Sequence, residues 1–107
     1  MPAAFVSDPA RRVEIARTIL SQLPEWFGIP AATEGYITDA AHEPCFVCEK
    51  DGAPVGFLCL KETGRSTVEL AVMGVLKPCH RKGYGRALMD AAIAYARQTG
   101  YEFMQVK

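Results

Sequence analysis

A change of pattern occurs within Val72-Met-Gly-Val-Leu-Lys-Pro-Cys-His-Arg-Lys-Gly-Tyr-Gly-Arg-Ala-Leu-Met89. An apolar, β-branched run stops at Pro78, a basic turn with two glycines follows, and an amphipathic pattern then continues to Gly100. This order predicts a strand, a turn and a helix, with unpaired backbone N–H groups where the helix begins. Those amides and the positive end of the helix dipole favour an anion. Gly83 and Gly85 would let a bulky phosphate approach the backbone closely.

The glycine spacing separates this turn from two better-known phosphate loops. The sequence contains no Walker run, G-x-x-x-x-G-K followed by Ser or Thr, and Leu88 stands where the dinucleotide fingerprint G-x-G-x-x-G needs its third glycine. What remains is His80-Arg-Lys-Gly-Tyr-Gly85, followed by the further cation Arg86. An ordinary strand-to-helix turn with surface charges is the alternative interpretation.

This turn resembles the pyrophosphate loop of the GNAT (N-acetyltransferase) superfamily, in which Gln, Arg or His precedes x-x-G-x-G and the loop holds acetyl-CoA. His80 stands where the family more often has Gln or Arg. The resemblance extends over nearly the whole chain, and the Trp-Phe-Gly turn and Met-Gln-Val-Lys ending are similar to a bacterial branch of the family. It implies that acetyl-CoA contacts His80, Arg81, Lys82, Gly83, Tyr84, Gly85 and Arg86.

Composition excludes several other classes of protein. The chain has 107 residues, enough for one domain, and half of them are hydrophobic. Lys plus Arg number 12 and Asp plus Glu number 12, which argues against a general nucleic-acid binder. No secretory leader pattern or membrane-spanning apolar run occurs in the sequence. We therefore expect a cytoplasmic protein without nucleic-acid or membrane partners.

The cysteines do not suggest a metal site. Cys45 and Cys48 are the only close pair, and they fall in a predicted strand, where residues three apart point to opposite faces. Cys59 and Cys79 add no ligand spacing. We expect small apolar side chains in a reducing compartment and no bound metal, with a zinc or redox site as the alternative.

The hydrophobic pattern along the chain predicts an α+β domain. Asp8-Pro9 begins a helix that Pro24 ends, and a weaker helix follows. Asp51-Gly52 predicts a hairpin turn, and Gly74 predicts a bulge or a point of close approach. We expect the last strand to be buried and parallel to the strand before the final helix. The remaining predicted elements are a helix over 31–38, strands over 45–50, 53–61 and 67–77, a helix from Gly85 to Gly100, and a strand over 101–106.

The order helix-helix-strand-strand-strand-helix-strand is similar to the mixed sheet of the GNAT fold. In the family, a further helix and two strands follow, complete the acceptor pocket and often supply a general-acid tyrosine. We therefore expect 1–107 to be a single GNAT-like domain that is incomplete at its C-terminus, either a fragment or a chain completed by another. The apolar strand at 101–107 is then open to self-association.

Glu69 is the candidate catalytic base. It lies among apolar residues of a predicted strand, where alternation places it on one face with Ala71 and Met73. It also lies eleven positions before His80, which resembles the catalytic glutamate of lysine-acetylating GNAT enzymes. Alternatively, Glu69 is a solvent-facing charge or an ion-pair partner, and a chain of water molecules removes the proton of the amine.

Other residues are assigned to the two substrates. If the strand splays at Gly74, the backbones of Met73 and Val75 meet the acetyl oxygen and the pantetheine amides. The resemblance places Trp26, Phe27 and Tyr36 in the helical region that covers the amine pocket, although such side chains can equally be core.

The function expected from this resemblance is acetyl-CoA-dependent N-acetylation. A primary amine, on a small molecule or a protein, would attack the thioester directly. Two alternatives remain open. One is a non-catalytic acyl-CoA-binding module or subunit, and the other is an interaction domain that binds no coenzyme A.

Overall fold

Within residues 3–25 and 28–106, which the computed structural model describes, five strands form one mixed sheet with helices on both faces. The strands lie in chain order, the first four antiparallel and the fifth parallel to the fourth. The elements are β1 (Ala4–Val6), α1 (Pro9–Leu20), α2 (Pro30–Asp39), β2 (Cys45–Lys50), β3 (Ala53–Gly64), β4 (Thr67–Val75), α3 (Tyr84–Gln98) and β5 (Phe103–Gln105), with 3-10 turns at Ala40–His42 and Lys77–Cys79. The α+β prediction is confirmed.

The sheet separates two apolar clusters. On one face, α1 and α2 bury residues such as Ile19 and Ile37 against Phe57 of β3. On the other face, α3 buries Leu88 and Ala92. Because strand side chains alternate, β2 contributes Cys45 to the first cluster and Cys48 to the second, as the spacing predicts.

Local chemistry explains two boundaries that the sequence predicts. The Asp8 carboxylate accepts a hydrogen bond of 3.1 Å from the Ala10 amide, and Pro9 occupies the first helical position. Asp51 and Gly52 both have positive φ, 54° and 80°, as a two-residue hairpin turn requires.

Three predictions about strands are corrected. β1 is absent from the predicted order, because three residues are too short for an alternation to appear; it is held by pairing with β2. β4 ends at Val75, since the segment with Pro78 turns into a 3-10 helix instead of continuing the strand. β5 is short and mostly exposed, with 62% of Phe103 accessible, so it is not a buried strand. Self-association through 101–107 stays a prediction.

One cysteine has a neighbour that spacing does not reveal. Cys59 lies directly opposite Cys45 in the β2–β3 pairing, and their Sγ atoms are 2.7 Å apart. Both are buried free thiols. The hydrogen bond to Cys45, together with burial, raises the pKa of the Cys59 thiol.

None of the helices in the described ranges is long and apolar enough to cross a membrane.

Candidate active site

The predicted anion site is the turn between β4 and α3. Gly83 is the N-cap of α3, adopts φ +88° and provides no side-chain cap. Ala87 donates the first helical hydrogen bond to the Gly83 carbonyl, at 3.0 Å. The N–H groups of Tyr84, Gly85 and Arg86 therefore have no carbonyl partner within the helix. They are directed towards its N-terminal end. That end carries the positive part of the helix dipole.

His80 connects this turn to β4. Its Nε2 lies 2.6 Å from the carbonyl oxygen of Val75. Since a carbonyl only accepts, Nε2 carries the proton and donates. The imidazole therefore fixes the turn against the end of the strand. Arg81 adopts φ +62°, a left-handed conformation that residues other than glycine rarely take.

A pocket of about 290 Å³ lies between this turn and β4. Five of the predicted cofactor residues line it, namely Met73, Val75, His80, Arg81 and Gly85, together with Gly74 and Cys79. The other four do not. Tyr84 packs its ring into the core, leaving only its backbone available, and Lys82, Gly83 and Arg86 are exposed beside the pocket.

The carboxyl half of β4 is not paired on its outer edge. The ladder with β5 extends only from Thr67 to Glu69. From Leu70 to Val75, no strand of the described ranges pairs with the edge that faces away from β3. Backbone N–H and C=O groups of this edge are therefore available beside the pocket.

A β-bulge lies where the unpaired edge of β4 begins, and of the two alternatives predicted for Gly74, a bulge or a close approach, the structure shows the close approach. Cys59 pairs with Val72 and Leu60 pairs with Leu70, so Ala71 is the extra residue. Gly74 keeps regular pairing and instead allows a close approach, because a Cβ there would lie 3.1 Å from Leu23 of the α1 side.

The bulge also changes the face on which the candidate base lies. Simple alternation predicts Glu69 on one face with Ala71 and Met73. In the structure, Ala71 packs on the α1 side with Glu69, whereas Met73 packs on the α3 side. The prediction is wrong for Met73, since the extra residue reverses the alternation after Ala71.

Glu69 lines a second pocket, of about 360 Å³, between the sheet and α2. Its neighbours there are Tyr36, Asp39, Glu43, Lys61, Leu70 and Ala71. The structure thus brings the candidate base together with Tyr36, one of the three residues assigned to the amine. The other two, Trp26 and Phe27, lie outside the described residues.

Comparison with known sequences identifies the family. A model of the Acetyltransferase (GNAT) family matches residues 12–107. The chain belongs to the GNAT acetyltransferase family. A search of curated proteins found no match.

Solved structures with the same fold include acetyltransferases of low sequence identity. IAA acetyltransferase from Bacillus cereus ATCC 14579 superposes with a TM-score of 0.73 at 18% identity over 97% of this GNAT chain, which spans 64% of that protein. A ribosomal-protein-alanine N-acetyltransferase from Brucella melitensis biovar Abortus 2308 gives 0.75 at 15% identity, with coverages of 98% and 77%. Aminoglycoside acetyltransferase AAC(6')-Iy, in complex with the bisubstrate analog CoA-S-monomethyl-acetylneamine, gives 0.72 at 20% identity, with coverages of 100% and 80%.

Glu43, which no sequence pattern singles out, borders the second pocket of this GNAT domain. Only 8% of its surface is exposed, and no hydrogen bond or ion pair to its carboxylate occurs among the described residues. Burial, and then the neighbouring Asp39 charge, raise the pKa of Glu43 to about 7, against the opposing effect of Lys61. In the sequence, Glu43-Pro44 marks only the end of a helical segment. Nothing in that dipeptide indicates a buried carboxylate.

The pKa of Glu43 predicts a pH-dependent stability. The folded-state pKa of about 7 exceeds the ordinary value of 4.5, so the folded state binds more protons between these values. The free energy of unfolding should therefore fall as pH rises from about 4.5 to 7, by at most about 3 kcal/mol. Glu43→Gln should match the wild type near pH 4 and exceed it near pH 8, as measured by urea unfolding. Glu49→Gln, on an exposed side chain, is the control. An unchanged pH profile in Glu43→Gln would contradict the assignment.

Proposed function

We propose that this GNAT domain transfers an acetyl group from acetyl-CoA to a primary amine by direct attack on the thioester. The observation that carries the proposal is the unpaired edge of β4. It runs from the N-terminus of α3 to the bulge at Ala71, and so connects an anion site to the pocket that contains Glu69. The two substrates would meet at this edge.

The turn and α3 suit the pyrophosphate of coenzyme A. Three amides at the N-terminus of α3 are available to phosphate oxygens, and Gly83 places no side chain in front of them. A Cβ at Gly85 would come no closer than 3.8 Å to Met73, so the surface there is open. Arg81, Lys82 and Arg86 add exposed positive charge, with Arg86 Nε 3.8 Å from Asp90. The residues present therefore fit acetyl-CoA as co-substrate.

The edge of β4 would bind the rest of that molecule. Backbone groups between Leu70 and Val75 can pair with the pantetheine amides, as they would pair with another strand. An N–H near the bulge would stabilise the thioester oxygen as it gains negative charge, an effect worth roughly 3–4 kcal/mol for a well-placed donor. Met73 and Val75 take part through their backbones in this proposal.

Glu69 would act as the base. It is half-buried and lines the pocket next to the bulge, which Tyr36 also lines. The amine nitrogen loses its proton to the carboxylate, an N–C bond forms, and the C–S bond breaks to release the thiolate of coenzyme A. The acetyltransferases with the same fold include proteins whose names state aminoglycoside and ribosomal-protein acceptors, which supports an amine as acceptor.

The test combines binding with turnover. We expect calorimetry to detect acetyl-CoA binding, and we expect free thiol to appear when a panel of primary amines is added. Acetyl-CoA binding without thiol release for any amine would favour the non-catalytic acyl-CoA-binding module. Absence of binding would contradict both functions and favour an interaction domain.

A further inference from the structure

The pocket of Glu69 continues into a larger one. The adjoining pocket has a volume of about 500 Å³ and extends to Tyr101, at the end of the loop after α3. Asp39, Glu43 and Lys61 border both pockets. We call the combined space the acidic groove, because four carboxylates line it: Asp39, Glu43, Glu62 and Glu69.

Negative charge exceeds positive charge in this groove. Against the four carboxylates stand Lys61 and His42. Lys61 makes no salt bridge with any of them in the described part of the chain. Nor do any three of the described His, Cys, Asp and Glu side chains converge closely enough to hold a metal ion. The excess of carboxylates favours cationic groups of an organic molecule as the ligands of this groove.

Glu43 is the member of the groove that points to a ligand. It is more than nine-tenths buried, borders both pockets and has no partner among the described residues. No side-chain oxygen of the described residues is both fully buried and unpaired, so the carboxylate oxygens of Glu43 open to the groove while the rest of the residue is buried. A charge in such partly desolvated surroundings is costly unless something pairs with it. Glu69 is only half-buried, so the two carboxylates differ in environment although they share one pocket.

We infer that the acceptor carries a second ammonium group, which Glu43 and Asp39 bind while the reacting amine lies at Glu69. The inference rests on the proposed function and defines its substrate class as linear diamines and polyamines. A monoamine would leave the Glu43 carboxylate without a charged partner in the groove, whereas a second ammonium forms a charge-assisted hydrogen bond with it. Glu43 is thus a specificity-determining residue.

Two ligands of equal size can distinguish recognition of a second ammonium group from a general preference for amines. Putrescine and pentylamine have the same number of heavy atoms, but only putrescine ends in a second ammonium. By calorimetry at neutral pH, the wild type should bind putrescine about 10–100-fold more tightly than pentylamine. Glu43→Gln should lose this ratio, and Glu49→Gln, which changes an exposed carboxylate outside the groove, should keep it.

A proton count gives an independent measurement. At pH 7, Glu43 is about half protonated, since its pKa is about 7. Pairing with an ammonium would lower that pKa, so putrescine binding should release about half a proton from Glu43. Comparing buffers of different ionisation enthalpy measures this release. In Glu43→Gln, that part of the release should be absent.

The outcomes for acceptor class and for catalysis are distinguishable. Equal binding of putrescine and pentylamine to the wild type, or no binding of either, would overturn the inference. So would a ratio that survives Glu43→Gln, or binding of a lysine-rich peptide without binding of putrescine. Thiol release with pentylamine would uphold the proposed transfer in each of those cases. A preference for putrescine without thiol release would support the acidic groove as a diamine site and contradict acetyl transfer by this protein.

Discussion

Glu69→Gln is expected to lower the rate of acetyl transfer by about 10²–10⁴-fold, because general-base catalysis contributes an effect of this size. The glutamine keeps the shape of the side chain and its place beside Tyr36 and Ala71, but it cannot accept the proton of the amine. Thiol release at saturating acetyl-CoA would measure the loss. The affinity for acetyl-CoA should remain nearly intact, since Glu69 does not line the pocket beside the turn.

Glu49→Gln is the matched control for this experiment. It removes one carboxylate from an exposed position on β2, where the side chain is 3.4 Å from Arg11 and lines none of the three pockets described above. Its turnover should equal that of the wild type. Normal turnover of Glu69→Gln between pH 6 and 9 would show that the carboxylate is structural, and that water or another residue takes the proton.

Gly83→Val is expected to weaken acetyl-CoA binding by at least about 100-fold, corresponding to two charge-assisted hydrogen bonds at roughly 1.5–3 kcal/mol each. The residue has φ +88°, which a β-branched side chain rarely adopts. Valine would therefore displace the backbone from the N-cap position and misalign the amides that start α3. Calorimetry with acetyl-CoA measures the effect.

Gly52 provides the control, and Gly85 provides a second test of the same turn. Gly52 has φ +80° and open space around its Cβ position, as Gly83 does, but it lies in the β2–β3 hairpin. Gly52→Val should therefore cost a similar roughly 1–3 kcal/mol in backbone strain while leaving acetyl-CoA affinity unchanged. Gly85→Val tests steric exclusion alone, because its φ is not in the positive range and its Cβ would enter the pocket. Unchanged affinity in folded Gly83→Val and Gly85→Val would rule out a phosphate at this turn.

Features that depend on neighbouring residues could be predicted from the sequence. The start of α1 at Asp8-Pro9 and the hairpin at Asp51-Gly52 follow from local capping and turn chemistry. The glycine-spaced turn before α3 can be predicted in the same way, because one short motif contains both the glycines that its backbone conformation requires and its basic residues. Together with the elements around it, this turn indicates the GNAT family, and the family match confirms that prediction.

Features that depend on distant residues required the tertiary structure. The bulge at Ala71 arises from the register between β3 and β4, and one extra residue moved Met73 to the opposite face from Glu69. β1 exists through its pairing with β2. Glu43 is buried only because α2, β3 and β4 come together around it. No local sequence pattern indicates this arrangement. The sequence by itself determined the fold class and the glycine-spaced turn before α3, whereas packing between distant segments decided which carboxylates line the pocket of Glu69.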